Sequence, residues 1–278
     1  MNDRNHTEFM QVGEFVADFG ENELEHTDDL VGKRLNIHLE NGWIIRHHFA
    51  ANQALTWEMI EGVDTDPAAP TSASETYRAT NLREGFYLVD FVKGQRPTQS
   101  VSLVLDFKQG ICTAVIADMP SREETLKPLF QRVLDKEILT PMRATYLNGA
   151  IDKPIDAQTP RHQRTEELVG KRLLHRYGSK DAYEHIYLSP EFYTWNCTEG
   201  PEVGLADTDQ ANYFKLDDEL YLFVWLEKVI PTEGLIMVDL KSMKTSGKIF
   251  GYEGDDFGKT SNTPVGAVLT VLNKARYS

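Results

Sequence analysis

The five residues "LVGKR" occur twice in this chain, from Leu30 and again from Leu168, at an offset of 138 residues. At the same offset Trp57 falls on Trp195, and the "EG" at residue 61 falls on the "EG" at residue 199. After a small shift in register, "FYLVDFVK" from residue 86 matches "LYLFVWLEK" from residue 220, and "VSLVLDF" from 101 matches "GLIMVDL" from 234. A unit of on the order of 130 residues is too long for a solenoid repeat and is typical of a duplicated domain. We therefore predict two related domains, residues 1–150 and residues 151–278.

Each unit reads as a series of short strands. "RLNIHLENGWIIRHHF" is two alternating runs joined by Glu40, Asn41 and Gly42, and Asn-Gly favours a hairpin because it tolerates positive φ. "ALTWEMI", "GFYLVDFV", "SVSLVLDF" and "ICTAVIA" follow as further short strands. Several short strands separated by turns, in a unit this small, favour a closed or nearly closed antiparallel barrel. The predicted fold class is all-β with a minor helix, as two tandem antiparallel β-barrels.

The minor helix is predicted in "SREETLKPLFQRVLDKEIL", at the end of the first domain. Ser121 and Glu124 have the spacing of a capping box, and apolar residues from Leu126 to Leu134 recur with helical period. Pro128 lies near the predicted start, where proline is tolerated best.

Three segments are predicted to lack regular structure. The polar, Pro-rich stretch 140–164, which contains His162 and Arg164, is interpreted as an interdomain connector. Residues 61–76 and 199–212 occupy equivalent places in the two units. We expect them to be mobile loops that cover a barrel mouth.

The repeat also predicts which side chains fill each barrel. Side chains alternate between the faces of a strand, and the offset of 138 is even, so the interior face is the same in both copies. The interior positions are Leu35, Ile37, Leu39, Trp43, Ile45, His47 and Phe49 in the first copy, and Leu173, His175, Tyr177, Tyr183, His185 and Tyr187 in the second. The second barrel is therefore expected to have the more polar and ionisable interior.

A later strand extends this polar cluster. Phe223, Trp225 and Glu227 share one face, and the aromatic residues indicate that this face points inward. Trp195 and Cys197 join the same face from "YTWNC". Buried polar groups without partners cost roughly 1–3 kcal/mol each, so a cluster of them needs mutual hydrogen bonds, water or a ligand. Each residue taken alone is also compatible with an ordinary core position or, for Glu227, with a solvated strand end.

The net charge and the absence of common motifs disfavour several classes of partner and of enzyme. A net charge of −14 disfavours nucleic acid and anionic membranes as partners, and no apolar run is long enough to span a bilayer. The N-terminal sequence does not resemble a signal peptide, so we expect a cytoplasmic protein with reduced Cys112 and Cys197. Neither cysteine has zinc-ligand spacing, and adjacent His47 and His48 point to opposite faces, so no metal is expected. No HExxH, P-loop, GxGxxG or GxSxG motif occurs, and no cofactor is expected.

The chain resembles the MoaF family through "FMQVGEFVADFGENELEHTDDLVGKRLNIHLENGW", "ALTWEMIEG", "YRATNLREGFYLVDFV" and "SVSLVLDFKQGICTAVIADMP". The resemblance covers nearly the whole chain. It implies two related calycin-like (lipocalin-like) barrels, and an association with molybdenum cofactor biosynthesis from which the family is named.

A more distant resemblance is to phenolic acid decarboxylases, which are cofactor-free lyases of lipocalin-like fold. "LENGWIIRHHF" and "EGFYLVDF" look like that family's "NGW" hairpin and "EG-Y-SW" strand. Its two tyrosines and its glutamate fall on His175, Tyr177 and Glu227 in the second copy, and on Ile37, Leu39 and Lys93 in the first. Its pocket arginine has no match here. The resemblance thus implies acid–base chemistry, with a changed site, in the second barrel.

Two functions remain. In the first, the second barrel is an enzyme of lyase, dehydratase or isomerase type acting on a small aromatic or unsaturated molecule. Glu227 is then the general acid or base, and Tyr177 and His175 polarise a substrate oxygen. Tyr183, His185, Trp195, Cys197 and Trp225 are predicted to bind the substrate. In the second, the protein binds a small molecule without chemistry. The sequence leaves a homo-oligomer open.

Overall fold

The computed structural model describes residues 9–13, 19–63 and 69–276. They form two closed antiparallel barrels of eight strands each, with two short helices before the last strand of the first barrel, which confirms the predicted fold class. The first barrel contains β1 (Arg34–Leu39), β2 (Ile44–Ala50), β3 (Ala54–Glu61), β4 (Ser72–Arg83), β5 (Phe86–Lys93), β6 (Arg96–Asp106), β7 (Ile111–Asp118) and β8 (Arg143–Ile151).

The second barrel contains β10 (Lys171–Arg176), β11 (Ala182–Tyr187), β12 (Phe192–Glu199), β13 (Ala206–Asp217), β14 (Leu220–Leu226), β15 (Thr232–Asp239), β16 (Lys244–Glu253) and β17 (Asp256–Lys274). Pairing of β12 with β13 and of β10 with β17 closes the ring. The two-residue strand β9 (Gln163–Arg164) pairs with the edge of β13.

The two barrels begin with the same hairpin in the same register. Ile37 of β1 lies opposite Ile45 of β2, and His175 of β10 lies opposite Tyr183 of β11. The first hairpin turns at Gly42, whose φ of 88° is the left-handed conformation that the Asn-Gly pair predicted. Residues that are 138 positions apart in the two hairpins are therefore equivalent in structure as well as in sequence.

The interior faces follow the predicted alternation. In the first barrel the buried core includes Leu35, Ile37 and Leu39, and Trp43 and Ile45 pack partly buried against it. In the second barrel all six predicted interior residues are buried: Leu173, His175, Tyr177, Tyr183, His185 and Tyr187. Ile37 and Leu39 are thus replaced by a buried imidazole and a buried phenol in the second core.

The predicted single helix is wrong, because the segment forms two helices, α1 (Arg122–Leu126) and α2 (Leu129–Asp135). The capping box between Ser121 and Glu124 is present. Lys127 is extended, as expected of a residue before proline, so Pro128 ends α1 and caps α2 instead of continuing one helix. Among the described residues no helix is long and apolar enough to cross a membrane.

The predicted connector is also wrong in part. Residues 143–151 form β8, which pairs with β1 and completes the first barrel. His162 is buried, and its Nδ1 lies 2.8 Å from the Thr113 hydroxyl. In the first predicted loop, residues 64–68 lie outside the described part of the chain, and residues from 72 onward belong to β4. In the second, only residues 200–205 form a turn, because β13 begins at Ala206.

The chain forms two compact units that are not continuous in sequence. One consists of Glu25–Asp118 with Ala144–His162 and contains the first barrel. The other contains the second barrel, residues 119–143 and the described residues before Glu25. The N-terminal residues therefore belong to the second barrel.

Candidate functional site

Four turns meet at one end of the second barrel because its strands alternate in direction. They comprise residues 177–181, 200–205, 227–231 and 254–255, and we call this end the mouth. Tyr177, Glu202 and Glu227 each lie in one of these turns. Chain topology thus places a phenol and two carboxyl groups at the same end of an aromatic core.

A cavity of about 40 Å³ lies inside the mouth. Its walls are mainly aromatic, with two carboxyl groups and one imidazole. The lining residues are Phe19, Tyr177, Tyr183, His185, Tyr193, Trp195, Glu202, Trp225, Glu227, Thr232 and Ile249. A cavity of this volume has room for a small polar head group or for one or two waters.

Glu227 is held against the aromatic wall. Trp225 Nε1 donates a hydrogen bond of 2.9 Å to Glu227 Oε1. The backbone is fixed on both sides, since Glu227 N donates to the Thr232 carbonyl and the Thr140 hydroxyl donates to the Glu227 carbonyl. Burial, reinforced by the negative charge of Asp209, raises the pKa of Glu227 well above its ordinary value.

Glu202 is the second carboxyl group of the cavity. Tyr183 Oη donates to Glu202 Oε2 at 2.9 Å, and the backbone N–H of Met10 donates to Oε1 at 3.0 Å. Burial raises the pKa of Glu202, and these two hydrogen bonds oppose that rise. The carboxyl group is therefore oriented by neutral donors.

A third carboxyl group supports the wall from behind. Asp209 is buried, and its Oδ2 accepts a hydrogen bond of 3.2 Å from Trp195 Nε1. Its Oδ1 accepts from the backbone N–H of Lys228 at 3.1 Å, and the Lys228 ammonium group is shared between Asp209 and Asp207. Burial raises the pKa of Asp209 to about 6.

Two buried histidines stack in the core, and one of them, His185, lines the cavity. The rings of His175 and His185 stack with centroids 3.8 Å apart. Burial lowers the pKa of His185 to about 3 and places that of His175 well below its ordinary value, so both are neutral. The Tyr187 hydroxyl lies 3.3 Å from His175 Nε2, whereas Nδ1 of His185 has no hydrogen-bond partner among the described residues.

Residues from the N-terminal part of the chain lie at the mouth. The Phe19 ring packs against Tyr177 and Tyr183, with centroid distances of 4.6 and 5.6 Å. The Asn22 amide donates to the Tyr177 carbonyl, and the Phe9 ring contacts Trp195 edge-on at 5.9 Å. Phe19 therefore places a phenyl ring over the cavity.

The structure brings most of the predicted site residues together. Six of them line the cavity, namely Glu227, Tyr177, Tyr183, His185, Trp195 and Trp225. His175 lies behind His185 in the core, and Cys197 is buried beside the cavity with its Sγ directed at the Glu199 carbonyl. Burial raises the pKa of Cys197 to about 11, so it is a neutral thiol.

Sequence reasoning missed Phe19, Tyr193, Glu202 and Asp209. Tyr193 and Asp209 have the strand parity of Trp195 and Ala211, so alternation within β12 and β13 could have found them. Glu202 lies in a turn and Phe19 far away in sequence, where no periodic pattern applies.

The first barrel offers an internal comparison. It has a cavity of similar size, about 40 Å³, lined mainly by aliphatic residues with His47, Trp57 and Lys93 among them. Burial lowers the pKa of His47 to about 4, so this imidazole is neutral. The first barrel thus forms the same closed sheet without carboxyl groups among the described residues that line its cavity.

Comparison with known proteins agrees with the repeat. A family model described as the MoaF N-terminal domain matches residues 7–121, and one described as the MoaF C-terminal domain matches residues 162–275. "Protein MoaF" from Klebsiella aerogenes is 41% identical over 205 residues, which cover 72% of this chain and 75% of that protein. A crystal structure of a putative beta-lactamase from Burkholderia vietnamiensis matches 44% of this chain and 93% of its own, at 12% identity and a TM-score of 0.31, too low to bear on fold or function.

Proposed function

This chain belongs to the MoaF family, and we propose that its second barrel is a cofactor-independent acid–base enzyme of lyase, dehydratase or isomerase type. The substrate is a small aromatic or unsaturated molecule bound in the cavity at the mouth. The observation that carries the proposal is the partly buried carboxyl group of Glu227, which is fixed by Trp225 and lies in a cavity also lined by Tyr177.

Glu227 has the properties of a general acid–base group. A carboxyl group whose pKa is raised by burial is protonated over a wider pH range, and can give a proton and take one back near neutral pH. In an isomerisation Glu227 takes a proton from one substrate atom and returns it to another, so the reaction needs no redox partner. Lyase and dehydratase steps use the same group to protonate or deprotonate the substrate.

The other lining residues serve binding in this proposal. The Tyr177 hydroxyl donates to a substrate oxygen, because burial and the nearby Glu227 raise the pKa of this phenol and keep it protonated. His175, first predicted to share that role, lies behind His185 and acts through it as a positioning residue. Trp195 and Trp225 supply the flat walls against which an unsaturated skeleton packs.

The alternative is a non-catalytic small-molecule binding protein. It is supported by the aromatic character of the cavity walls and by the Phe19 ring that occupies the mouth, since both suit retention of a ligand. The association with molybdenum cofactor biosynthesis belongs to this alternative and stays an expectation from the family resemblance.

Exchange of substrate hydrogen with solvent separates the two functions. Small aromatic and unsaturated compounds that bind the protein are incubated with it in D₂O, and deuterium incorporation at carbon is followed by NMR. An acid–base enzyme introduces deuterium or converts the compound, whereas a carrier returns it unchanged.

Two variants test the role of Glu227. Glu227→Gln keeps an acceptor for Trp225 but cannot shuttle a proton, so we expect it to bind the compound and to lose turnover and exchange. Glu199→Gln is the matched control, because Glu199 lies at the same end of the barrel but pairs with Arg176 outside the cavity. Turnover retained in Glu227→Gln would remove Glu227 from the mechanism.

A further inference from the structure

The two barrels share a buried tryptophan–carboxylate pair. In the first barrel Trp57 Nε1 donates to Glu75 Oε1 at 3.4 Å, and the backbone N–H of Gly94 donates to Glu75 Oε2 at 2.8 Å. In the second barrel Trp195 donates to Asp209, and the backbone N–H of Lys228 donates to the same carboxylate. The equivalent residues thus make equivalent hydrogen bonds.

A cation completes this arrangement in the first barrel. The Lys93 Nζ lies 5.3 Å from the centre of the Trp57 ring, which is a cation–π contact, and both side chains line the first cavity. The matching strands of the repeat place Glu227 at the position of Lys93. The second barrel has therefore exchanged the internal ammonium group for a carboxyl group, next to the same tryptophan–carboxylate pair.

Among the described residues, this exchange leaves the second cavity lined by two carboxyl groups and by no Lys or Arg side chain. Glu227 and Glu202 accept hydrogen bonds from an indole, a phenol and a backbone N–H, all of them neutral. The ammonium group of Lys228 is taken by Asp207 and Asp209. In the described part of the chain, neither Glu227 nor Glu202 forms an ion pair with a cation.

The rest of the cavity also suits a positive group. The faces of Trp195, Trp225 and Tyr193 carry partial negative charge, and they line the same space as the two carboxyl groups. The buried imidazole of His185 also lines this cavity, and its Nδ1 has no hydrogen-bond partner among the described residues. A neutral imidazole nitrogen can accept a hydrogen bond from a ligand N–H.

We propose that the ligand of the second barrel is a small organic cation, an ammonium group carried on an aromatic or unsaturated skeleton. This inference rests on the proposed function, whose substrate class it narrows. The ammonium group takes the place that Lys93 holds in the first barrel, with Glu227 and Glu202 as counter-ions and the Trp195 face beside it. The aromatic part of the ligand replaces the Phe19 ring between Tyr177 and Tyr183, where a phenyl ring already fits.

The burial of both carboxyl groups supports this assignment. Burial raises the pKa of both groups, and an ammonium group bound between them would offset that rise by stabilising their ionised forms. Among the described residues, the other ionisable groups around them include Asp207, Asp209, Lys228, Tyr177, Tyr183, Tyr193, His185 and Cys197.

Three probes of one shape and different charge test the proposal by isothermal titration calorimetry with the full chain near neutral pH. Benzylamine is cationic, benzyl alcohol is neutral and benzoate is anionic. We expect benzylamine to bind at least about tenfold more tightly than benzyl alcohol, and benzoate not to bind. Equal or tighter binding of the alcohol, or failure of all three probes to bind, overturns the cation assignment.

Variants at one position separate this inference from the proposed function. Glu227→Gln should weaken benzylamine by about tenfold or more while changing benzyl alcohol by less than about twofold. Glu227→Lys should abolish benzylamine binding, because it restores the internal ammonium group of the first barrel. Glu199→Gln should change neither. Unaltered benzylamine affinity in Glu227→Gln overturns the cation assignment. Weakened benzylamine binding with turnover retained in the same variant overturns only the proposed chemistry.

Discussion

The Trp225 ring has its position because the facing residue has no side chain. Trp225 on β14 lies opposite Gly234 on β15. A Cβ at position 234 would lie 1.9 Å from Cζ2 and 2.0 Å from Cε2 of the indole, where ordinary contacts are 3.4–4 Å. In the first barrel the equivalent pair is Phe91 and Val101. The second barrel has thus enlarged one partner and removed the other side chain.

Gly234→Ala should therefore displace Trp225 and release Glu227. Restoring ordinary contact requires the ring to move by roughly 1.5–2 Å, which costs about 1–3 kcal/mol of overpacking in a dense core. That displacement also breaks the 2.9 Å hydrogen bond to Glu227, and an unpaired buried polar group costs about 1–3 kcal/mol more. We expect a total loss of about 2–6 kcal/mol in the free energy of unfolding.

Urea unfolding followed by far-UV circular dichroism measures this loss. Gly20→Ala is the control, because a Cβ there meets no atom within 4 Å, and it should change stability by less than about 0.5 kcal/mol. Adding Trp225→Leu to Gly234→Ala removes the clash, so the double variant should lose less than the sum of the single variants by at least about 1 kcal/mol. Wild-type stability in Gly234→Ala, or strict additivity, would refute this account of the tryptophan.

Two other predictions concern the same end of the barrel. Burial raises the pKa of Asp209 from 3.8 to about 6, so the folded state binds this proton more tightly than the unfolded state does. The stability that the proton contributes is therefore present at acidic pH and is lost as the pH rises through about 6. Lowering the pH from 7 to 5 should then stabilise wild type relative to Asp209→Asn by about 1 kcal/mol in urea unfolding, and an unchanged difference would contradict the raised pKa. Phe19→Ala removes a buried ring packed on Tyr177 and Tyr183 and should cost on the order of 3 kcal/mol in the same assay; a cost below about 1 kcal/mol would show that the ring does not pack there in solution.

The sequence predicted the barrels well because a period of two along each strand and an even repeat offset fix every interior position. His175 and Tyr177 are buried because they occupy the same interior strand positions as Ile37 and Leu39. The prediction of one helix was wrong at Pro128, where local backbone chemistry interrupted a pattern with helical period.

The remaining errors come from long-range contacts. Residues 143–151 contain few large apolar side chains, so their pairing with β1 has no clear signal in the sequence itself. Glu202 enters the cavity from a turn, and Phe19 from a segment 158 residues before Tyr177 in the chain. Their positions depend on how the second barrel closes, which no local pattern encodes.

The membership of the N-terminal residues in the second unit also constrains the order in which the protein forms during synthesis. The first barrel is complete once Ile151 has been made, and it can close while the rest of the chain is still being added. Val12 and Phe19 are made before either barrel, yet their buried environment includes Gly251 and Tyr177. Asn22 requires β17, because its backbone lies against Gly266 of that strand. The apolar side chains of Val12 and Phe19 therefore cannot be buried in this environment until the second barrel has been made.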